Sequence, residues 1–332
     1  MRVRKEKLPA DPYERAALLR DYFCDKDAVL KDAGEYWQIE LAWASNAERY
    51  IDPRLIEGLQ WWGMGLSYGD MATARFRQGR VLWALYDTWT LESWCEWLAS
   101  APRQEGGLTI LHIDDHRDLG SPRLFVEPGG WRDPITGHTV DLEVPTSVTK
   151  AIESGAIGMG SFLTPFLHLH PTADVRHLCQ APKCIGTTDF RIKLGHQPDD
   201  LLDTGAVRPT IELELRSNGI GPGVYRYTDS LVSWLEGIGE GPILLHIDLD
   251  YFCNRYDGDS DALTSPKPLD PSISEIRTRI SELGKAMNDA GVVDRIADIA
   301  IAFSPGFFPA ELWNDVSSEL LSAFGEAPCR SH

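Results

Sequence analysis

The sequence predicts an α/β fold built on a mainly parallel sheet with helices on both faces. Three observations predict it. Short apolar runs recur at residues 80–86, 108–113, 243–247 and 299–303, with the length and composition of buried strands. Helical patterns lie between them, as at 91–98 and 272–289. The runs break into polar or turn residues at their C-terminal ends, where sheets of this class carry their function. The 332 residues are 43% apolar and 25% charged, which suits one large domain or two modest ones and excludes a disordered or fibrous chain.

The elements follow in chain order. Residues 9–50 carry apolar side chains at helical spacing, with Asp and Pro supplying helix starts, and an aromatic-rich helical stretch follows at 53–79. Residues 1–78 therefore read as an N-terminal helical region and 79–332 as the α/β domain. In that domain 80–86 is a strand, 91–98 a helix, and Gly106-Gly107 lead into the strand at 108–113. Residues 119–147 are rich in Gly, Pro and Asp and read as a long loop of the kind that carries function. Near the end, Ser272 follows Pro271 and is placed to cap the helix that runs to 289.

Thirty-two Lys and Arg stand against fifty Asp and Glu, a formal charge of −18. Nucleic acid is not an expected partner, because phosphate binding needs a cationic face; an acidic chain favours a cationic ligand. No apolar run approaches the ~20 residues of a membrane helix, so no membrane association is expected. The basic start, MRVRKEK, has no apolar stretch behind it and is not read as a secretory signal. The six cysteines (24, 95, 179, 184, 253 and 329) form no CxxC pair, so reduced thiols in a cytoplasmic protein are expected.

Two strand ends carry chemistry. One reads Leu111-His112-Ile113-Asp114-Asp115-His116-Arg117-Asp118, the other Leu245-His246-Ile247-Asp248-Leu249-Asp250. In extended chain, residues i, i+2 and i+4 share a side. This groups Asp114 with His116 and Asp118, and Asp248 with Asp250. Four carboxylates brought together raise one another's pKa unless a cation sits among them. Carboxylates with an imidazole and no thiolate suit a divalent ion such as Mn²⁺ better than a structural zinc. A solvated loop would account for either motif alone. The pair, each ending an apolar strand, points to a metal site with Asp114, His116, Asp118, Asp248 and Asp250 as ligands.

These two stretches resemble the DxHxD and DxD elements of the arginase-like (ureohydrolase) fold. The closer resemblance is to a divergent branch with an LHxDxHxDL stretch, matched at 111–119, and an IDLDFF-type stretch, matched at 247–252. Weaker similarity covers 152–170 and 299–309, so the match spans about residues 80 to 325. Members of this branch act as peptide arginases in the maturation of ribosomally made peptides. The resemblance implies a three-layer α/β/α fold, a two-manganese centre, and hydrolysis of arginine side chains in a precursor peptide to ornithine and urea.

One position departs from the branch, which has Asp-His after an earlier strand where this chain has Asp87-Thr88. The hydroxyl of Thr88 is a poor substitute for imidazole, so one ion is expected to bind weakly or to recruit another side chain. His112 is one recruit to consider, although it and His246 read more simply as hydrogen-bonded strand histidines. A hydroxide held between two ions would attack the guanidinium carbon. The leaving nitrogen then needs a proton, and Asp118 or His138 would carry it. The guanidinium needs a carboxylate partner. None stands in 302–309, which leaves Asp115, Glu311 or another loop residue. Asp257, Asp259 and Asp261 read as an acidic rim, since position twelve of a calcium loop would fall on Pro268. Cys179, Cys184 and the tryptophans at 61, 62, 83, 89, 94 and 97 read as core. Three further readings stay open: a ureohydrolase acting on a free guanidine, a deacetylase-type amide hydrolase on the same fold, and a non-catalytic metal-binding protein.

Overall fold

The computed structural model describes residues 1–23, 25–45, 50–101, 107–217, 221–257 and 269–324. The chain starts with strand β1 (Arg2–Arg4), helix α1 (Pro12–Phe23) and the hairpin β2 (Lys26–Ala33) and β3 (Tyr36–Trp43), and the three strands form one antiparallel sheet in the order β1-β3-β2. The expectation of a helical region is thus corrected over 26–43. Trp37, Ile39, Leu41 and Trp43 repeat at period two, which suits a strand. The hairpin closes over Gly34 and Glu35, and Gly34 has φ 74°, the positive φ that a two-residue turn needs. Val3, Leu8, Leu19, Tyr22, Phe23 and Ile39 form a small core of their own, joined by Leu201 from the main body.

Helix α2 (Leu55–Trp62) precedes the main sheet, which comprises β4 (Arg75–Gln78), β5 (Val81–Ala84), β6 (Thr109–Ile113), β10 (Asp174–Leu178), β11 (Thr187–Pro198), β12 (Val207–Leu215), β13 (Val224–Thr228), β14 (Ile243–Asp248) and β15 (Ile296–Ala302). The sheet therefore begins at Arg75, before residue 79. Its order is β12-β11-β13-β10-β6-β14-β15-β5-β4. The six strands from β13 to β5 run parallel, and antiparallel strands flank them at both edges. The runs read as strands in the sequence are β5, β6, β14 and β15. The four central ones from β10 to β15 are almost wholly buried, as parallel strands covered on both faces must be.

Helix α3 (Trp89–Ser100) packs on β15 and on α4 (Pro145–Ser154), and α5 (Leu163–Leu169) packs on β12. Elsewhere α6 (Leu231–Leu235) meets β10, β13 and α7 (Ile273–Asp289), and α7 pairs with α8 (Trp313–Ala323). The result is a mixed α/β molecule compatible with a three-layer α/β/α arrangement. The cap expected at Ser272 is present: its Oγ accepts from Glu275 N, and the Glu275 carboxylate accepts from Ser272 N, a capping box. The stretch read as one long loop holds a small antiparallel sheet of β7 (Phe125–Glu127), β8 (Gly130–Arg132) and β9 (Thr139–Val140). Among the described residues no helix is long and apolar enough to cross a membrane.

Candidate metal centre

Register places the motifs side by side. Ile113 of β6 pairs with Ile247 of β14, and Asp248 pairs with Ala302 of β15, which pairs in turn with Ala84 of β5. The chain therefore delivers Asp114, Asp248, Ser304 and Asp87 from four neighbouring strands at one end of the sheet. A cavity of about 420 Å³ opens there. Asp87, His116, Asp118, Asp248, Asp250 and Ser304 line it on the polar side, Leu119, Met159 and Phe307 on the apolar side.

Two ligand groups share Asp114. In the outer one, His116 Nδ1 lies 2.9 Å from Asp250 Oδ2 and 3.6 Å from Asp114 Oδ1. In the inner one, His112 Nε2 lies 3.7 Å from Asp114 Oδ2 and 3.8 Å from Asp118 Oδ2, with His246 Nδ1 3.8 Å from Asp114 Oδ2. Two donors about 2.1 Å from one ion stand about 3–4 Å apart, so both groups have the spacing of a shared cation. Asp114 Oδ2 and Asp118 Oδ2 are buried and accept no hydrogen bond. Buried carboxylate oxygens without a donor are costly, and a divalent ion is the partner this donor set fits. His112 hydrogen-bonds through both ring nitrogens, Nδ1 to His246 and Nε2 to the His116 carbonyl at 3.2 Å, as the strand-histidine reading expects, and its Nε2 also lies within reach of an ion shared with Asp114 and Asp118.

Asp248, expected as a ligand, lines the cavity beside these groups, with Oδ1 accepting from Asp250 N at 3.1 Å and Oδ2 from Ser304 Oγ at 2.5 Å. His138, expected as a proton carrier, is not brought to the site. It is exposed between β8 and β9 and is absent from the cavity wall. Its position in a Gly- and Asp-rich stretch did not reveal that the stretch folds into a separate small sheet. Asp115 is buried but turns away, paired with Lys183 Nζ at 2.6 Å and with Asn254 Nδ2 at 2.7 Å. Glu311 pairs with Arg255 at 2.5 Å. Neither lines the cavity. Thr88 is buried at the start of α3 and is absent from the wall as well. Asp259 and Asp261 lie outside the described residues, while Asp257 sits 3.7 Å from His116 Nε2 and 3.1 Å from Lys183 Nζ.

The electrostatics follow from burial without a cation. Burial, and then Asp118 and Asp250, push Asp114 well above the ordinary carboxylate range. Burial and Asp250 do the same to Asp248, and burial and Asp118 to Asp87. Burial opposes the charge on His116, but Asp250, Asp114 and Asp257 outweigh it and hold the imidazolium far above the usual histidine value. Burial lowers the pKa of His112 and pushes those of His177 and His246 well below the usual histidine value. His112 and His246 share a hydrogen bond of 3.0 Å between their Nδ1 atoms, and His177 Nε2 reaches the carbonyl of Asp114 at 2.9 Å. These imidazoles form the floor under the carboxylates.

Backbone strain collects at the same place. Among the described residues, Asp118 (φ 53°), Asp257 (φ 51°) and Ser304 (φ 44°) are the non-glycines with positive φ. Two line the cavity and the third faces His116. Such conformations cost of order 1–3 kcal/mol each and gather at functional sites. Sequence reasoning missed Asp87, Ser304 and Lys183. Asp87 was within reach, as the carboxylate next to Thr88 at a predicted strand end; Ser304 and Lys183 carry no local signal.

Compared with known proteins, the chain matches no family model and no curated protein sequence.

Proposed function

We propose that this chain is a manganese-dependent hydrolase of the arginase-like fold that converts arginine side chains within a precursor peptide to ornithine residues and urea. The observation that supports the reading is the pair of buried, donorless oxygens, Asp114 Oδ2 and Asp118 Oδ2, at a cavity that residues of both strand-end motifs line. His112, Asp114 and Asp118 would hold one ion and Asp114, His116 and Asp250 the other, with Asp248 beside both. Ions held there would supply a hydroxide at neutral pH and polarise the group under attack.

The chain's own residues account for the rest. Leu119, Met159 and Phe307 give the cavity an apolar wall that suits the methylene stem of a long side chain. Asp118 reaches the cavity from a strained backbone, and with Oδ2 given to the ion, its second carboxylate oxygen would take a proton and pass it to the leaving nitrogen. The acidic balance of −18 favours approach of a cationic peptide.

Incubation of the protein with Mn²⁺ and arginine-containing peptides tests the reading. It expects a loss of ~42 Da per modified arginine, the exchange of guanidine for amine, with one urea released each time. Acetate from acetyl-lysine peptides without urea would move the protein to the deacetylase class. No product at all, with ions bound, would make it a metal-binding protein without this activity.

A further inference from the structure

Two acids in the cavity serve neither ligand group: Asp248, whose oxygens accept from Asp250 N and Ser304 Oγ, and Asp87. Asp87 follows β5, is 4% exposed, and lines the wall beside Asp118 and Asp248. It lies outside the clusters of His and Asp that could share an ion. Gly160 N donates to its Oδ2 at 2.8 Å, and among the described residues no lysine or arginine forms an ion pair with it. The arginine that lines the same cavity, Arg117, instead lays its guanidinium over the rings of Tyr227 at 4.7 Å and Phe190 at 5.8 Å.

A carboxylate withdrawn from water needs a positive partner or must take up a proton. Among the described residues Asp87 has no such partner, while the cavity gives a ligand direct access to it. The apolar wall of Leu119, Met159 and Phe307 would cover an aliphatic stem, and about 420 Å³ admits one long side chain rather than a folded domain. A cation presented this way meets a planar carboxylate. A guanidinium matches it with two parallel N–H donors, where an ammonium offers a single point of charge.

We propose that Asp87 receives the guanidinium of the substrate side chain and so selects a planar cation over a neutral group of the same shape. This rests on the hydrolase reading only for the identity of the substrate.

The test titrates the full-length, manganese-loaded protein by calorimetry with acetyl-arginine-amide and with acetyl-citrulline-amide, which keeps the shape and lacks the charge. Arginine is expected to bind about tenfold more tightly, the scale of a hydrogen bond to a charged group. Asp87→Asn should erase that preference while manganese per chain, read by atomic spectroscopy, stays at the wild-type value. Equal binding of the two probes by the wild type overturns the proposal. So does a preference that survives in Asp87→Asn, or loss of an ion from that variant, which would make Asp87 a metal ligand. Should the variant fail to fold by circular dichroism, the wild-type comparison of the two probes decides alone. A clear arginine preference without any urea would remove the hydrolase reading and leave the role of Asp87 in place.

Discussion

Asp114 is the residue on which the two ligand groups turn, since one of its oxygens faces His116 and Asp250 and the other faces His112 and Asp118. Asp114→Asn keeps the size and removes the charge, so both ions are expected to be lost together, with turnover down by at least ~10³-fold for a metal-dependent step. Asp250→Asn touches the outer group alone and should leave one ion per chain. Metal analysis of the purified variants separates the cases; two ions retained in Asp114→Asn would refute the shared assignment. At this scale the clustering of Asp114, His116, Asp118 and Asp250 was legible because period-two spacing at a strand end sends alternate side chains to one side. His138 and Asp87 were not, because whether a loop residue reaches a cavity depends on folding that local spacing does not encode.

At the scale of elements, the strands β5, β6, β14 and β15 were legible as apolar runs, and α7 through its capping residue. The hairpin of β2 and β3 was not, since its apolar residues satisfy helical and strand spacing at once and the turn at Gly34 decides between them. Helix packing shows what composition hides. Gly58 lies in α2 against α8, and a Cβ there would stand 2.7 Å from Ala310 Cβ and 2.9 Å from the ring of Trp313. The Ala310 methyl and the buried Trp313 indole have little room to give way, so Gly58→Ala is expected to destabilise the fold by about 1–3 kcal/mol through overpacking. Gly63, just past the same helix, has nothing within 4 Å of an added Cβ, and Gly63→Ala serves as the control with a change near zero. Denaturant midpoints measure both; equal shifts would show that α2 does not pack this way.

For the molecule as a whole, the acidic cavity couples folding to protons and metal. The N-terminal region takes part, for Asp25 Oδ2 accepts from Met159 N at 2.8 Å and steadies the loop whose next residue, Gly160, donates to Asp87. Its hydrogen bonds were invisible in the sequence because they join residues more than a hundred positions apart. Without metal, Asp87, Asp114 and Asp248 are held well above ordinary carboxylates and His116 well above ordinary histidine. The folded state then binds more protons than the unfolded chain, and stability falls as pH rises through those elevated values. The neutral histidines 112, 177 and 246 act oppositely, losing stability as pH drops below ~6.5, the unfolded value. Above about pH 6.5 histidines 112, 177 and 246 are uncharged in both states, so through the neutral and mildly alkaline window the metal-free protein should melt at progressively lower temperature as pH increases. A divalent ion bound there, such as manganese, would favour the ionised carboxylates and displace their protons. Its addition should therefore raise the melting temperature, by about 2.7 kcal/mol of stability at a hundredfold excess over Kd, and most at the alkaline end. Calorimetry in buffers of different ionisation enthalpy should show proton release on binding. A metal-free melting temperature that climbs across this window, or binding with proton uptake, would mean that these carboxylates are not packed together without a cation.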